Sequence, residues 1–249
     1  MADPSALVPF LLIGFAAQLV DGALGMAYGQ ISSTLLISLG VPPAAASAGV
    51  HTAETFTTAV SGISHIAHRN VDWKLFMRLV VPGVIGGILG AYVLTAVDAS
   101  TAKPFVLAYL TALGLYLFYR GIMHRHTERQ PRIVSPLGLI GGFLDAAGGG
   151  GWGGIVTSNL LVQGSNPRKT IGTVNTAEFF LTVTISATFI AALGWQAFTV
   201  ATVGLLIGGV CAAPFGAWIA KRVNPDMLLT FVGALLTAVS TYGLYRALA

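Results

Sequence analysis

Four carboxylic acids lie inside strongly apolar stretches of this sequence, and they form two matching pairs: Asp21 with Glu54, and Asp145 with Glu178. A charged side chain at the centre of a membrane helix costs about 2.5–3.5 kcal/mol on insertion scales, so four such residues are not expected by accident. We predict that Glu54 and Glu178 carry protons or line a substrate pathway. Asp21 and Asp145 could do the same, or they could cap helix ends, which explains them equally well.

A polar stripe follows one face of the helix that is predicted after Pro43. Its spacings of 3, 4, 3 and 4 residues match a single helical face, and its members are His51, Glu54, Thr58, Ser61 and His65. Because histidine changes its charge near neutral pH, His51 and His65 could relay protons. Hydrogen bonds to carbonyl groups of neighbouring helices explain the two histidines equally well.

A glycine-rich break follows each aspartate, and residues 148–151 are four consecutive glycines. Each glycine costs a helix interior about 1 kcal/mol relative to alanine, so helix is not expected there. A helix that starts after such a break presents free N–H groups and its positive dipole end, which favour an anion. Close packing of helices on small residues is the alternative explanation. The predicted substrate-binding residues are Gly22, Gly25, Tyr28, Gly29, Gln30, Thr52, Gly149, Gly150, Gly151, Trp152, Gly153, Asn175 and Thr176.

These features occur twice because the chain contains an internal repeat. An ungapped offset of 124 positions (145 − 21) places residues 21–54 on residues 145–178. Past Gln196 the overlay needs a shift of two residues, after which Tyr116 matches Tyr242. The copies differ in their polar stripes, because Asn175 replaces His51 and the stripe of the second copy ends at Thr182.

The composition indicates a membrane protein, since 55% of the 249 residues are hydrophobic and only 9% are charged. Soluble domains carry about 25% charged residues, and apolar runs of about 20 residues are typical of membrane-spanning helices. The surplus of Lys and Arg is explained by cytoplasmic loops, so we expect no nucleic-acid partner. The sequence shows no metal-ligand or nucleophile spacing, so we predict no enzymatic activity, no resident metal and no cofactor.

Each half contains five helical pieces, and the first two are too short to span a bilayer singly. A single broken span would divide the Lys and Arg residues nearly evenly between the two sides. A re-entrant hairpin instead places every Lys and Arg except Lys103 and Arg246 on one side. The positive-inside rule therefore favours the hairpin, with both termini outside.

We therefore predict an all-α polytopic membrane protein built from two inverted-topology repeats, each a re-entrant or broken helical hairpin plus three transmembrane helices. The first repeat is expected over residues 1–122, a basic cytoplasmic linker over 123–134, and the second repeat over 135–249. Inverted repeats with broken helices recur in secondary transporters, whose substrates bind near the middle of the membrane.

The chain resembles the sulfite exporter TauE/SafE family of membrane permeases in both halves. The resemblance is carried by Gly62 and His65 before residues 70–73 (Asn-Val-Asp-Trp), by the glycine ladder 83–91, and by residues 39–43, 216–217 and 221–225. It implies export or uptake of sulfite, sulfonates or related small anions in the cytoplasmic membrane of a bacterium or archaeon. Many members open both halves with three glycines, whereas residues 24–29 read Leu-Gly-Met-Ala-Tyr-Gly, which suggests a subgroup.

The predicted function is therefore secondary transport of a small anion, coupled to protons and working by alternating access. The resemblance implies that this anion is sulfite or an organosulfonate. The expected partners are the anion, protons and the lipid bilayer, and homo-oligomerisation stays open. The alternative is a cation or metal-ion permease that uses the carboxylates and His51. A non-transporting membrane scaffold is a second alternative, in which the glycine breaks would tolerate bulky residues.

Overall fold

The computed structural model describes residues 7–24, 26–123, 130–194, 200–220 and 225–249, and these residues form an all-helical protein. The predicted all-α class is confirmed. The first half contains α1 (Val8–Leu24), α2 (Tyr28–Ser38), α3 (Pro43–Ala67), α4 (Trp73–Ala96) and α5 (Ala99–Ile122). The second half contains α6 (Ser135–Gly148), a π-helical turn (Gly153–Thr157) that continues as α7 (Ser158–Val162), α8 (Pro167–Leu193), α9 (Val200–Ala220) and α10 (Pro225–Leu248). Within the predicted linker, residues 124–129 lie outside the described ranges.

Local sequence signals explain where the long helices begin. Asp72 caps α4, because its carboxylate accepts hydrogen bonds from the backbone N–H groups of Lys74 (3.0 Å) and Leu75 (3.1 Å). Asn166 caps α8 by accepting from the N–H of Lys169 at 3.2 Å. Proline is well tolerated in the first helical turn, where its missing N–H has no intrahelical acceptor to lose, and both α3 and α8 start with one.

The helices of each half pack mainly against helices of the other half. The closest helix pairs all join one half to the other: α1 with α9, α4 with α6, α3 with α8, and α5 with α10. Under the sequence repeat, α1 corresponds to α6 and α4 corresponds to α9. The pair of α1 with α9 is therefore equivalent to the pair of α6 with α4. The packing is therefore symmetric about an approximate two-fold relation.

The central helices α3 and α8 run antiparallel. The rings of His51 and Phe189 are 6.4 Å apart, and further along α3 the hydroxyl groups of Thr58 and Thr182 are 3.5 Å apart. Increasing residue numbers on α3 thus meet decreasing numbers on α8. The same holds for α5 and α10, where Gly114 packs on Thr237 while Gly121 packs on Thr230.

The directions within the first half show where the chain turns back. Helix α9 runs parallel to α3, because Gly49 packs against Thr202 and Thr57 against Gly209. It also runs parallel to α1, since Gly204 contacts Phe10 and the rings of Phe15 and Phe215 are 6.3 Å apart. Consequently α1 and α3 point the same way, and α2 must return between them.

Within the second half, the first and third helical segments are also parallel to each other. Helix α4 runs parallel to α6, because Gly138 packs on Leu79 and Phe143 on Gly90. It runs parallel to α8 as well, since Phe76 stacks edge-on against Phe180 at 5.7 Å and Gly87 contacts Ile185. The segment before α8 therefore also turns back, and the two hairpins point in opposite directions.

The glycine ladder of α4 permits its close contact with α6. A Cβ at Gly86 would lie 2.9 Å from the backbone nitrogen of Phe143 and would overlap the carbonyl oxygen of Leu139. A Cβ at Gly83 would meet the ring of Trp152 at 2.8 Å. The interpretation of this ladder as a packing surface is confirmed.

The outer surface is apolar, as a bilayer requires. Within the described residues, four helical segments are long and apolar enough to cross a membrane: Trp73–Ala96, Ala99–Ile122, Arg168–Leu193 and Leu229–Leu248. Large side chains such as Val81, Ile85 and Tyr92 are exposed along α4, which in a soluble protein would form an unusual hydrophobic patch. Helix α3 has 25 residues, but His51, Glu54 and Thr58 of its polar stripe are buried inside the bundle rather than exposed to the lipid.

Candidate functional site

The tips of the two hairpins touch in the middle of the bundle. A Cβ placed on Gly29, at the start of α2, would lie only 2.9 Å from the Cα of Gly150. A Cβ on Gly150 would in turn lie 2.7 Å from the backbone nitrogen of Gln30. Gly150 also has a φ of 136°, a conformation that favours glycine. The structure thus brings the two predicted glycine breaks together, backbone against backbone.

Hydroxyl groups of the first half hold the carbonyl groups of the second tip. Ser47 donates to the carbonyl oxygen of Ala146 at 2.8 Å, and Tyr109 donates to that of Gly150 at 3.1 Å. Ser33 donates to the carbonyl oxygen of Gly149. With its carbonyl groups bonded in this way, the second tip is fixed by the other half of the protein.

The two aspartates tie each break to the helix that follows it. Asp21 Oδ1 accepts a hydrogen bond from the N–H of Tyr28 at 3.3 Å, and Asp145 Oδ1 accepts from the N–H of Trp152 at 2.8 Å. The structure therefore shows the capping role that the sequence left open. This role does not exclude a place in a proton pathway, because each carboxylate has a second oxygen.

In Asp145 the second oxygen bonds to a histidine of the other half. His51 Nε2 lies 3.0 Å from Asp145 Oδ2, and both side chains are almost completely buried. The other ring nitrogen, Nδ1, lies 2.7 Å from the carbonyl oxygen of Ser47 in the preceding helical turn. Breaking a buried pair of this kind costs much more free energy than breaking an exposed pair. The contact of His51 with Asp145 therefore holds α3 against the second tip.

Glu54 lies at the contact between the tips. Its Oε1 would be 3.1 Å from a Cβ on Gly29, so the carboxyl group faces the first turn of α2. Asp21, His51 and Asp145 are all close enough to interact electrostatically with it. Glu178 interacts in the same way with Glu54 and both aspartates. Glu54 and Glu178 therefore each lie within electrostatic reach of the other three predicted carboxyl groups.

Some buried polar atoms at this point have no hydrogen-bond partner within the described residues. They include Nε2 of Gln30 and Oγ1 of Thr157. The Gln30 amide points at the π-helical turn, where a Cβ on Gly154 would be 2.6 Å from Nε2. Buried polar groups are normally paired, and an unpaired one indicates a functional role or contact with a bound water or ion.

Other predicted residues lie elsewhere in the structure. Thr52 and Thr176 donate to the carbonyl groups of Ala48 (2.8 Å) and Gly172 (2.7 Å) in their own helices. His65 lies near the end of α3 beside Asn70, several turns away from His51. Gly22 belongs to the last turns of α1, Gly153 opens the π-helical turn, and Gly25 is outside the described residues.

Ser33, Ser47 and Tyr109 are site residues that the sequence reasoning missed. Ser47 could have been found, because it lies four residues before His51 and extends the polar stripe by one turn. Nothing in the sequence marks Ser33 or Tyr109. Under the repeat, Tyr109 corresponds to Leu235, so the feature is not duplicated.

No metal centre is found in the part of the chain that the structure describes. Asp21 and the pair His51 and Glu54 were considered as cation ligands, but no three His, Cys, Asp or Glu side chains are arranged to hold a metal ion there.

Taken together, an all-helical bundle with an apolar outer surface and two opposed hairpins meeting at buried carboxyl groups defines a membrane-embedded transporter. The comparison with known families agrees. The model of the sulfite exporter TauE/SafE family matches residues 10–243, so the chain belongs to that family.

Two known proteins are similar to this chain, one over nearly all of it and the other over less than half. A Bacillus subtilis (strain 168) protein named "Probable membrane transporter protein YtnM" is 42% identical over 243 residues, which cover 94% of this chain and 81% of the relative. The Arabidopsis thaliana "Sulfite exporter TauE/SafE family protein 3" is 26% identical over 111 residues, covering 45% of this chain and 23% of that protein. No solved structure matches the chain.

Proposed function

We propose that this protein transports a small oxyanion, sulfite or an organosulfonate, together with protons. The observation that supports this proposal best is the contact between the two glycine tips, with Glu54 beside Gly29 and Gly150. The name of the family and that of the Arabidopsis relative both refer to sulfite export.

The first turn of α2 supplies the chemistry that an oxyanion needs. The N–H groups of a first helical turn have no acceptor within the helix. In α2 the N–H of Tyr28 is bonded to Asp21, and the N–H of Gln30 lies in the tip contact, 2.7 Å from the Cβ position of Gly150. The unpaired amide of Gln30 adds a buried donor at the same place. An anion placed between the tips would receive hydrogen bonds from these groups without any lysine or arginine.

The four carboxyl groups explain why protons should accompany the anion. If Asp21, Glu54, Asp145 and Glu178 were all ionised, only His51 could offset their charge, and an anion would be repelled. Protonation of Glu54 and Glu178 reduces that repulsion and leaves O–H donors for the anion. Binding of the anion and binding of protons therefore favour each other, which is the thermodynamic basis of coupling.

The antiparallel halves support a mechanism of alternating access. The two hairpins point in opposite directions and end at one shared contact. Rocking of one half against the other would open that contact first to one side and then to the other, as in other transporters with inverted repeats. The termini would lie outside the cytoplasmic membrane of a bacterial or archaeal cell.

The test is uptake of sulfite into proteoliposomes, driven by a pH gradient. The wild-type protein is expected to accumulate sulfite when the gradient is present and to lose most of that accumulation when it is abolished. Glu54→Gln should remove the dependence on the gradient, while Asp98→Asn, an exposed carboxylate between α4 and α5, should behave like wild type.

Two outcomes would contradict the proposal. Flux of sulfite that responds to the gradient equally in wild type and Glu54→Gln would rule out the coupling role. Transport of divalent cations without any response to sulfite or sulfonates would favour the cation permease instead.

A further inference from the structure

A basic cavity lies at the end of the bundle where α4 and α8 begin, well away from the hairpin tips. It has a volume of about 500 Å³, and its charged lining residues are Lys74, Arg78, Lys169 and Asp72. Neutral polar groups of Gln130 and Ser165 line it as well. We propose that this cavity binds the phosphate group of an anion, and that its usual ligand is the headgroup of an anionic lipid.

The charges of the cavity favour a phosphate. The carboxylate of Asp72 already accepts two backbone N–H groups at the start of α4, at 3.0 and 3.1 Å. The three cations therefore outnumber a single acid whose charge is already bonded to a helix terminus. Phosphate is recognised by such clusters of charged donors, particularly where arginine offers its planar fork.

These lining cations keep donors that the described structure does not use. Arg78 donates one N–H to the carbonyl oxygen of Arg132 at 3.3 Å. Four of the five N–H donors of its guanidinium group remain. Lys169 Nζ donates to the carbonyl oxygens of Arg69 (2.8 Å) and Val71 (3.4 Å), which holds the ammonium group in place. The ammonium group of Lys74 has no partner within the described residues. The cavity thus combines two anchored cations with one that is free to bind.

Its position matches the headgroup layer of a membrane. Trp73, the first residue of α4, is 55% exposed directly beside Lys74, and tryptophan is enriched at membrane interfaces. Two apolar segments long enough to span a bilayer, Trp73–Ala96 and Arg168–Leu193, start here. Basic pockets between membrane helices are known to bind anionic headgroups on the cytoplasmic side.

An adjoining apolar surface offers a place for acyl chains. Trp73, Met77 and Val81 follow each other at intervals of four residues along α4 and are all more than half exposed. This stripe begins at the mouth of the cavity and runs toward the centre of the span. A free phosphate would use only the cavity, whereas a lipid would use both surfaces.

The experiment compares thermal unfolding and native mass spectrometry of the full-length protein in detergent with added phosphatidylglycerol, phosphatidylcholine or inorganic phosphate. Phosphatidylglycerol should raise the melting temperature and remain bound in the mass spectrum. Lys74→Gln with Arg78→Gln should weaken its binding about thirtyfold, because each cation contributes about 1 kcal/mol. The matched control is Lys103→Gln, which removes a cation from the start of α5, outside the cavity.

Each result decides the proposal. Binding of phosphatidylglycerol that is equal in wild type and the double variant, or no stronger than binding of phosphatidylcholine, overturns the site. Protection by inorganic phosphate that depends on Lys74 and Arg78, without any by phosphatidylglycerol, keeps the phosphate site but overturns the lipid as its ligand. Lys74→Gln alone serves as the check on folding, since it removes no hydrogen bond of the described structure.

Discussion

The pair of His51 and Asp145 connects residues that are 94 positions apart and belong to different halves of the chain. Both side chains are buried, so each group depends on the other for the favourable interactions that water would otherwise supply. The corresponding residue in the second half is Asn175, which makes no side-chain hydrogen bond in the described structure. The asymmetry predicts unequal effects of matched substitutions.

His51→Ala is expected to destabilise the protein by about 3–5 kcal/mol, because it leaves a buried carboxylate without its partner. Thermal unfolding in detergent would show this as a clear fall in melting temperature. Asn175→Ala, the matched substitution in the other half, should change the melting temperature little. Adding Asp145→Asn to His51→Ala should recover part of the loss, and a further loss would contradict the assignment of a charged pair.

Tyr109 is expected to position the second tip for the anion. Tyr109→Phe removes the hydroxyl group that donates to Gly150 at 3.1 Å but keeps the ring. A lost hydrogen bond of about 1 kcal/mol corresponds to an increase of about fivefold in the KM for sulfite, with the maximal rate and melting temperature nearly unchanged. Tyr119→Phe, at an exposed position of the same helix, is the control. An unchanged KM would show that the bond does not position the tip.

At the scale of elements, the two hairpins could be predicted because their signals are local. A run of glycines and a pair of short apolar segments indicate a break without any knowledge of the partner helices. The contacts between halves could not be predicted in this way. The sequence shows that a helical face consists of apolar or small residues, as at Gly83 and Gly86. It does not show that α6 packs against that face.

The same limit applies to the site. The carboxylates and His51 could be selected because polar groups are costly in apolar sequence. The hydroxyl groups of Ser33 and Tyr109 occur in ordinary helical contexts, and only the fold reveals that they face the carbonyl groups of the second tip.

Gly150→Ala should prevent the tips from meeting and strongly reduce transport. The added Cβ would strike the backbone of Gly29 and Gln30, and the residue would also have to adopt a φ of 136°. Gly40→Ala is a matched control, because Gly40 also has a positive φ (93°) but nothing lies within 4 Å of its Cβ position. Both variants bear backbone strain of about 1–3 kcal/mol. If both lost sulfite flux, strain rather than the tip contact would be the cause.

Gly86→Ala should separate α4 from α6 and lower stability by about 1–3 kcal/mol, as overpacking generally does. Its Cβ would overlap the carbonyl oxygen of Leu139. Gly62→Ala in α3 would meet only an ordinary contact, 3.5 Å from the Cα of Thr176, and should be tolerated. Equal melting temperatures of the two variants would mean that α4 can shift to accommodate the methyl group.

At the scale of the whole molecule, the directions of the helices predict which loops share a side of the membrane. Cysteines replacing Lys74 and Lys169 should both react with a label from the cytoplasm, in a background where Cys211→Ser removes the native thiol. A cysteine replacing Lys103 should react only from outside. Labelling of the Lys74 and Lys169 positions from opposite sides would contradict the inverted arrangement.

The exchange of helices between the halves has a consequence for biosynthesis. Chains are made from the N-terminus, so α1 is synthesised long before α9. Helix α1 packs against α9, which begins at Val200, and α4 packs against α6. The first hairpin must therefore remain in the membrane or its insertion machinery, without its partner helix α9, until most of the chain has been synthesised. Ribosome-bound chains that stop before α9 should accordingly be much more sensitive to membrane proteases than the finished protein.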